Sequence, residues 1–171
     1  MRGVNILQKV KIALWIVLIT LIQSVFVPYI NIFGITPNLL FIFSLCYAGV
    51  SKNIKSIMII SAVCGAIADC MTGRIFGVYV FIYLISALLI FLILEGVFSD
   101  NKLLFTVIVF VTTIFGETIF YLINIGVLKE TKYIEVLFDT ILPLAVINTL
   151  FSVILKVILK KSFKVKRGGY R

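Results

Sequence analysis

Three carboxylates lie within or beside long apolar runs, and they are the side chains that could do chemistry. Asp69 follows "SAVCGAIA", Glu117 lies inside "VTTIFGETIFYLIN", and Asp139 lies near the start of the last run. Ionisable groups cost free energy in a bilayer, so each one indicates a function or a structural pairing. The chain has no histidine, the commonest general base, and it has no nucleophile signature or metal-ligand cluster. We therefore predict no enzyme, no metal site and no cofactor, and an intramembrane enzyme is the least favoured hypothesis.

Small residues accompany Asp69 at a helical spacing. Ser61, Gly65, Asp69 and Gly73 recur every four residues, and residues four apart share one face of a helix. Small side chains let two helices approach closely in lipid, where packing drives helix association. The pattern predicts a helix face that packs closely against a neighbour and ends in a carboxylate.

The segment after Asp69 is predicted to be a tight turn between two helices. Thr72 and Gly73 form the turn, and Gly77 opens the next helix with another small surface. The carboxylate can accept hydrogen bonds from amides at the start of that helix, where the helix dipole favours negative charge. The position of Arg74 makes it a second candidate partner for the carboxylate of Asp69. We interpret the segment as a close-packed hairpin pinned by a charge, with a proton relay or substrate site as the alternative.

Other apolar runs carry polar residues along one helical face. The fifth run has them at steps of four, four and three, at Thr113, Glu117, Tyr121 and Asn124. The first and last runs have similar sets: Thr20, Gln23 and Ser24, and Ala145, Asn148, Thr149 and Ser152. These faces predict hydrogen bonds between helices of a bundle. A ligand pocket, which would use the same faces, is the alternative.

Six apolar runs must position these residues. A membrane-spanning helix needs about 20 predominantly apolar residues, and the runs cover residues 12–29, 36–50, 54–71, 75–98, 103–128 and 136–159. The second run is short. The chain is 62% hydrophobic and 13% charged, whereas soluble domains have about 25% charged residues. We predict an all-α integral membrane protein, a six-transmembrane-helix bundle that forms a single domain over residues 1–171.

The positive charges predict the orientation of this bundle. The net charge is +9, and the basic residues lie at the ends of apolar runs, which argues against a nucleic-acid partner. With the N-terminus inside, cytoplasmic segments hold 13 of the 16 lysines and arginines, so both termini are predicted to be cytoplasmic. The tail over residues 160–171 is expected to meet anionic lipid headgroups, with a specific docking role as the alternative, through Lys160, Lys161, Lys164, Lys166 and Arg167.

Three segments together resemble one membrane-protein family. The first is "LIQSVFVPYINIFGITPNLLFIF", which contains Gln23 and Pro37, and the second is "GAIADCMTGRIFGVYVF". The third is the final "ILPLAVINTLFSVILK". In this order they resemble the MreD family of bacterial rod shape-determining membrane proteins, over nearly the whole chain. Glu117 lies outside this pattern.

The resemblance implies a non-enzymatic component of the cell-elongation machinery in the bacterial plasma membrane, acting in lateral peptidoglycan synthesis. It implies binding to MreC, and association with the MreB filament and with RodA and its class B penicillin-binding transpeptidase. The family also resembles the six-helix S components of energy-coupling-factor vitamin transporters, so a vitamin-binding S component is the alternative function. Those subunits commonly carry Ala-x-x-x-Ala in the first helix, whereas Ala13 is followed by Val17 here.

Overall fold

The apolar runs form helices. The computed structural model describes residues 6–26, 29, 34–73, 75–96, 102–124 and 132–163. Within these ranges the helices are α1 (Ile6–Leu21), α2 (Leu39–Val50), α3 (Ile54–Thr72), α4 (Val78–Gly96), α5 (Lys102–Asn124) and α6 (Tyr133–Ser162). A π turn, Ile22–Phe26, extends α1, and a second π turn, Leu137–Ile141, interrupts α6 near its start.

Within the described residues, four helical segments are long and apolar enough to cross a membrane: Ile6–Val25, Ile54–Thr72, Leu103–Asn124 and Tyr133–Ser162. Val78–Leu94 of α4 is apolar but slightly shorter, and α2 has only 12 residues. At 1.5 Å per residue α2 is about 18 Å long, which is less than the hydrocarbon core of about 30 Å. The all-helical membrane class is confirmed, and six full spans stay a prediction.

The short helix α2 lies at the centre of the bundle. It contacts α1, α3, α4, α5 and α6, and every residue from Leu40 to Val50 is buried. Such a helix can be apolar all round because it has no solvent-facing side. Gly49 allows a close contact: a Cβ there would lie 2.9 Å from the ring of Phe105 on α5.

Some helices begin or end at other residues than the predicted runs, because capping and turn residues determine the helix ends. The second run was predicted from residue 36, but α2 begins after Asn38, whose side chain caps it. The fourth was predicted from residue 75, but Gly77 has a φ of +103° and α4 begins at Val78. Near the other end of the chain, α6 continues to Ser162. The ring of the next residue, Phe163, packs against the ring of Tyr47 with 5.9 Å between the ring centroids.

Lys156 lies within α6 and not in a cytoplasmic tail. Its ammonium nitrogen is 3.5 Å from the centre of the Phe105 ring, a cation–π contact. The 13 basic residues assigned to cytoplasmic segments include this lysine, although it lies inside the sixth apolar run. Its contact shows instead that it helps to pack α6 against α5.

Candidate functional site

The carboxylate of Asp69 holds the hairpin between α3 and α4. Its Oδ2 accepts hydrogen bonds from the amides of Gly77 and Val80 at 2.9 and 3.2 Å, and its Oδ1 accepts one from Tyr79 at 2.9 Å. The side chain is 4% exposed. These amides belong to the turn and first residues of α4, which have no intrahelical acceptor. The predicted hydrogen bonds from the start of the fourth run to this carboxylate are confirmed.

The turn itself follows from the local sequence. Gly73 adopts a left-handed conformation with a φ of +61°, and its amide donates to the Asp69 carbonyl at 3.1 Å, which ends α3. The hydroxyl of Thr72 donates to the carbonyl of Ala68 at 3.0 Å. The predicted turn at Thr72 and Gly73 is therefore confirmed.

Gly65 sets the distance between α3 and α4. A Cβ at this position would lie 2.6 Å from the Cα of Val80 and 2.8 Å from the carbonyl oxygen of Tyr79. Real Cβ atoms do not approach backbone this closely, so the glycine is required for the observed contact. Because this contact brings α4 against α3, it also places the amides of α4 on Asp69.

Gly77 does not provide the small packing surface that was predicted for it. Nothing lies within 4 Å of a Cβ built at Gly77, so that prediction is wrong. Its φ is +103°, a backbone conformation that glycine adopts without the steric cost that other residues carry. Gly77 therefore shapes the turn, as Gly73 does, and the sequence pattern did not distinguish a packing glycine from a turn glycine at this position.

Gln23 clamps the beginning of α2. Its amide oxygen accepts a hydrogen bond from the Leu39 amide at 2.7 Å, and its amide nitrogen donates to the carbonyl of Pro37 at 3.2 Å. Pro37 is buried. The side chain thus joins the π turn after α1 to the start of the central helix, a contact between helices of the kind that the polar faces predicted.

Asn38 connects three helices at the same end of the bundle. Its Oδ1 accepts from the Phe41 amide at 3.1 Å and from the Tyr83 hydroxyl at 2.8 Å. Its own amide donates to Oδ1 of Asn148 at 3.1 Å. The contacts tie α2 to α4 and α6. Asn38 and Tyr83 were not among the residues predicted from the sequence, although an asparagine just before an apolar run is a recognisable N-cap signal.

The polar face of α5 points inward, but its hydrogen bonds are mostly local. Thr113, Tyr121 and Asn124 are buried. The Thr113 hydroxyl donates to the Val109 carbonyl of its own helix at 2.8 Å, and Asn124 donates to that of Phe120 at 2.8 Å. The expectation that these two residues bond across helices is therefore wrong, because their own turn of helix provides the acceptor.

The polar face of α6 is also buried. Ala145, Asn148 and Ser152 are all buried, and the carbonyl of Ser152 accepts from the Cys46 thiol of α2 at 3.4 Å. Asp139 lies on the exposed side of the π turn that precedes this face. Its carboxylate is not buried and faces the surroundings of the bundle.

A cavity of about 220 Å³ lies between these groups. It is at the end of the bundle where α2 and α4 begin and α3 ends. The lining residues are Gln23, Thr36, Pro37, Asn38, Leu40, Ala68, Met71, Thr72, Tyr79, Glu117 and Leu144. Glu117 is therefore placed on a cavity wall, beside residues of both the Asp69 hairpin and the Asn38 contacts.

Several predicted site residues lie outside the described residues. These are Arg74 and, in the tail, Lys164, Lys166 and Arg167. Lys160 and Lys161 are described, and both are exposed in the last turn of α6, where basic side chains complement the helix dipole. Among the described residues, no group of three His, Cys, Asp or Glu side chains could hold a metal ion.

The chain was compared with known proteins. A family model described as rod shape-determining protein MreD matches residues 5–166, nearly the whole of the 171-residue sequence. No curated protein and no solved structure matches the chain. The matched range includes all six helices given above, the Asp69 hairpin and the cavity.

Proposed function

We propose that this chain, which belongs to the family of the rod shape-determining protein MreD, is a non-enzymatic membrane subunit of the bacterial cell-elongation complex. The observation that carries the proposal is the family match over residues 5–166. In this role the protein supports rod shape and lateral peptidoglycan synthesis by holding other proteins together in the membrane.

The internal hydrogen bonds support a structural role. The carboxylate of Asp69 and the amides of Gln23 and Asn38 bind backbone groups at helix ends. Polar groups used in this way fix helix positions, since an unpaired buried donor or acceptor costs about 1–3 kcal/mol. A membrane subunit whose function is to present defined helix surfaces to partners needs such fixed positions.

We propose six membrane spans with both termini cytoplasmic in the bacterial plasma membrane, in an arrangement like that of the S components. The distribution of lysines and arginines supports this orientation. The succession of six helices, α1 to α6, supports the number of spans. A cysteine placed at the exposed Lys132 should react with an impermeant reagent in intact cells, and one at Lys161 should not. Cys70 is exposed and must first be replaced.

MreC is the proposed direct partner, with MreB and the RodA–transpeptidase pair as further members of the complex. The exposed apolar face of α1 is available for contacts within the membrane: Ile12 and Ile19 are the buried residues of α1, whereas Leu7, Leu14 and Val17 are exposed. Anionic lipids are proposed to meet the basic residues that follow α6. No nucleic-acid partner is proposed.

The alternative, a vitamin-binding S component, is less well supported. A cavity of about 220 Å³ is smaller than the pockets of about 300–1,000 Å³ that enclose drug-sized ligands. The family match also favours the shape-determining role.

Depletion of the protein in its own bacterium tests the proposal. We expect cells to widen and round as the protein is lost, and a tagged copy to restore width and to co-purify MreC. A Gly65→Leu copy should restore neither, because the side chain would collide with the backbone of Val80. A Cys70→Leu copy, changed at an exposed position of the same helix, is the matched control and should restore both. Unchanged cell width after complete depletion would refute the proposed function.

A further inference from the structure

Among the described residues that line the cavity, Glu117 is the only one with a carboxylate. It is partly buried on α5, and it forms no hydrogen bond or ion pair with the described part of the chain. The amide oxygens of Gln23 and Asn38, by contrast, are each occupied by backbone donors. No lysine or arginine is among the described residues that line the cavity. The described part of the chain therefore leaves one carboxylate on the cavity wall without compensation.

A carboxylate in this position needs compensation. An ion without a partner is costly away from water, and the cost is higher for a group within the span of a membrane helix. Water, a proton or a cation can each supply it. The cavity has room for more than water alone, because an apolar cavity of about 150 Å³ takes up benzene and this one is about 220 Å³.

The wall chemistry favours an organic cation. Tyr79 contributes an aromatic ring, held in place by stacking on Phe120 with 4.8 Å between ring centroids. Met71 and Leu144 add apolar surface. Aromatic rings attract ammonium groups through cation–π interaction, and apolar walls accommodate the carbon atoms attached to the nitrogen. An inorganic cation would instead call for several oxygen ligands.

We propose that the cavity binds the ammonium group of a small amine, with the carboxylate of Glu117 as its counter-ion. The group belongs either to a free amine or to the headgroup of an aminophospholipid, since the cavity lies at one end of the bundle. This site is independent of the shape-determining role, and cell shape is not its readout.

Binding is tested on the purified full-length protein in nanodiscs. Ethanolamine hydrochloride is titrated into protein in phosphatidylglycerol discs, with sodium chloride at equal ionic strength as the blank, and the unfolding temperature is followed. We expect a saturable rise for the wild type. In Glu117→Gln the apparent Kd should be about tenfold or more weaker, because a hydrogen bond to a charged group contributes about 1.5–3 kcal/mol. Glu135→Gln, the same change at an exposed position of α6, should bind like the wild type.

A second variant keeps the test decisive if Glu117→Gln fails to fold. Met71 is 42% exposed and lines the cavity, so Met71→Trp should fold and obstruct the site, abolishing the rise. Repeating the titration in phosphatidylethanolamine discs distinguishes the two sources. If the ligand is a lipid headgroup, the unfolding temperature before ethanolamine is added is higher in phosphatidylethanolamine discs and rises little further. If the ligand is a free amine, the unfolding temperature rises equally in both lipids. No rise for the wild type in either lipid with equal starting temperatures, or an unchanged rise in both variants, would overturn the proposal.

Discussion

The hairpin between α3 and α4 and the cavity each have a carboxylate at the same end of the bundle, Asp69 and Glu117. The protein compensates the charges of these two carboxylates differently. Asp69 accepts hydrogen bonds from three backbone amides of one neighbouring segment. Glu117 lies on a cavity wall and has no such donors among the described residues. The difference indicates that intramembrane charge serves two purposes here. One carboxylate fixes the positions of two helices, and the other is available to a ligand.

The largest effect is expected from Asp69→Leu. The substitution leaves the amides of Gly77, Tyr79 and Val80 without their acceptor, and each unpaired buried donor costs about 1–3 kcal/mol. We expect little monodisperse protein after extraction in detergent, measured by size-exclusion chromatography. Glu117→Leu is the comparison and should give substantially more. Equal yields from the two variants would remove the distinction between the carboxylates.

An intermediate effect is expected from Gly65→Ala. The added Cβ would lie 2.6 Å from the Cα of Val80, and overpacking of this kind costs about 1–3 kcal/mol. The unfolding temperature in detergent should fall clearly. Gly73→Ala separates packing from conformation, because it meets no atom within 4 Å but has a φ of +61°. Its cost should be only the left-handed backbone strain, about 1–2 kcal/mol. Stability unaltered by Gly65→Ala would argue against the close approach of α3 and α4.

The smallest effect is expected from Glu117→Gln. The described residues offer the carboxylate no hydrogen bond to lose, and the substitution removes an unpartnered charge, so the stability without added amine should stay the same or rise. Cell width should be restored as well as by the wild type. The unfolding temperature of Glu117→Leu should be lower than that of Glu117→Gln, since leucine cannot replace the polar surface of the cavity. A severe folding loss in Glu117→Gln would show that the charge is structural here too.

The sequence predicted the hairpin better than it predicted the cavity. The four-residue spacing to Asp69 and the glycines of the turn are local signals. The amides that donate to the carboxylate of Asp69 are only eight to eleven residues along the chain, so this contact lies within one segment. The cavity depends on residues of six helices, including the π turn that extends α1, and on the contact of Asn38 with Asn148, 110 residues apart. No local pattern encodes that distance.

The two errors on polar groups and glycines have similar causes. Thr113 was expected to bond across helices, but its hydroxyl donates to the Val109 carbonyl of its own helix. Gly77 was expected to pack, but its positive φ shows that it turns the chain. In both cases, residue type and spacing gave the correct face or position. Only the three-dimensional arrangement decided which interaction the residue makes.

Amide hydrogen exchange tests the central claim most directly. The amides of Tyr79 and Val80 should exchange slowly in the wild type, because the carboxylate of Asp69 accepts both. In Asp69→Asn the side-chain amide nitrogen takes the place of one oxygen, so at least one of the two donors loses its acceptor. We predict faster exchange at the start of α4 in Asp69→Asn and wild-type exchange there in Glu117→Gln. Equal protection of these amides in the wild type and Asp69→Asn would contradict the account.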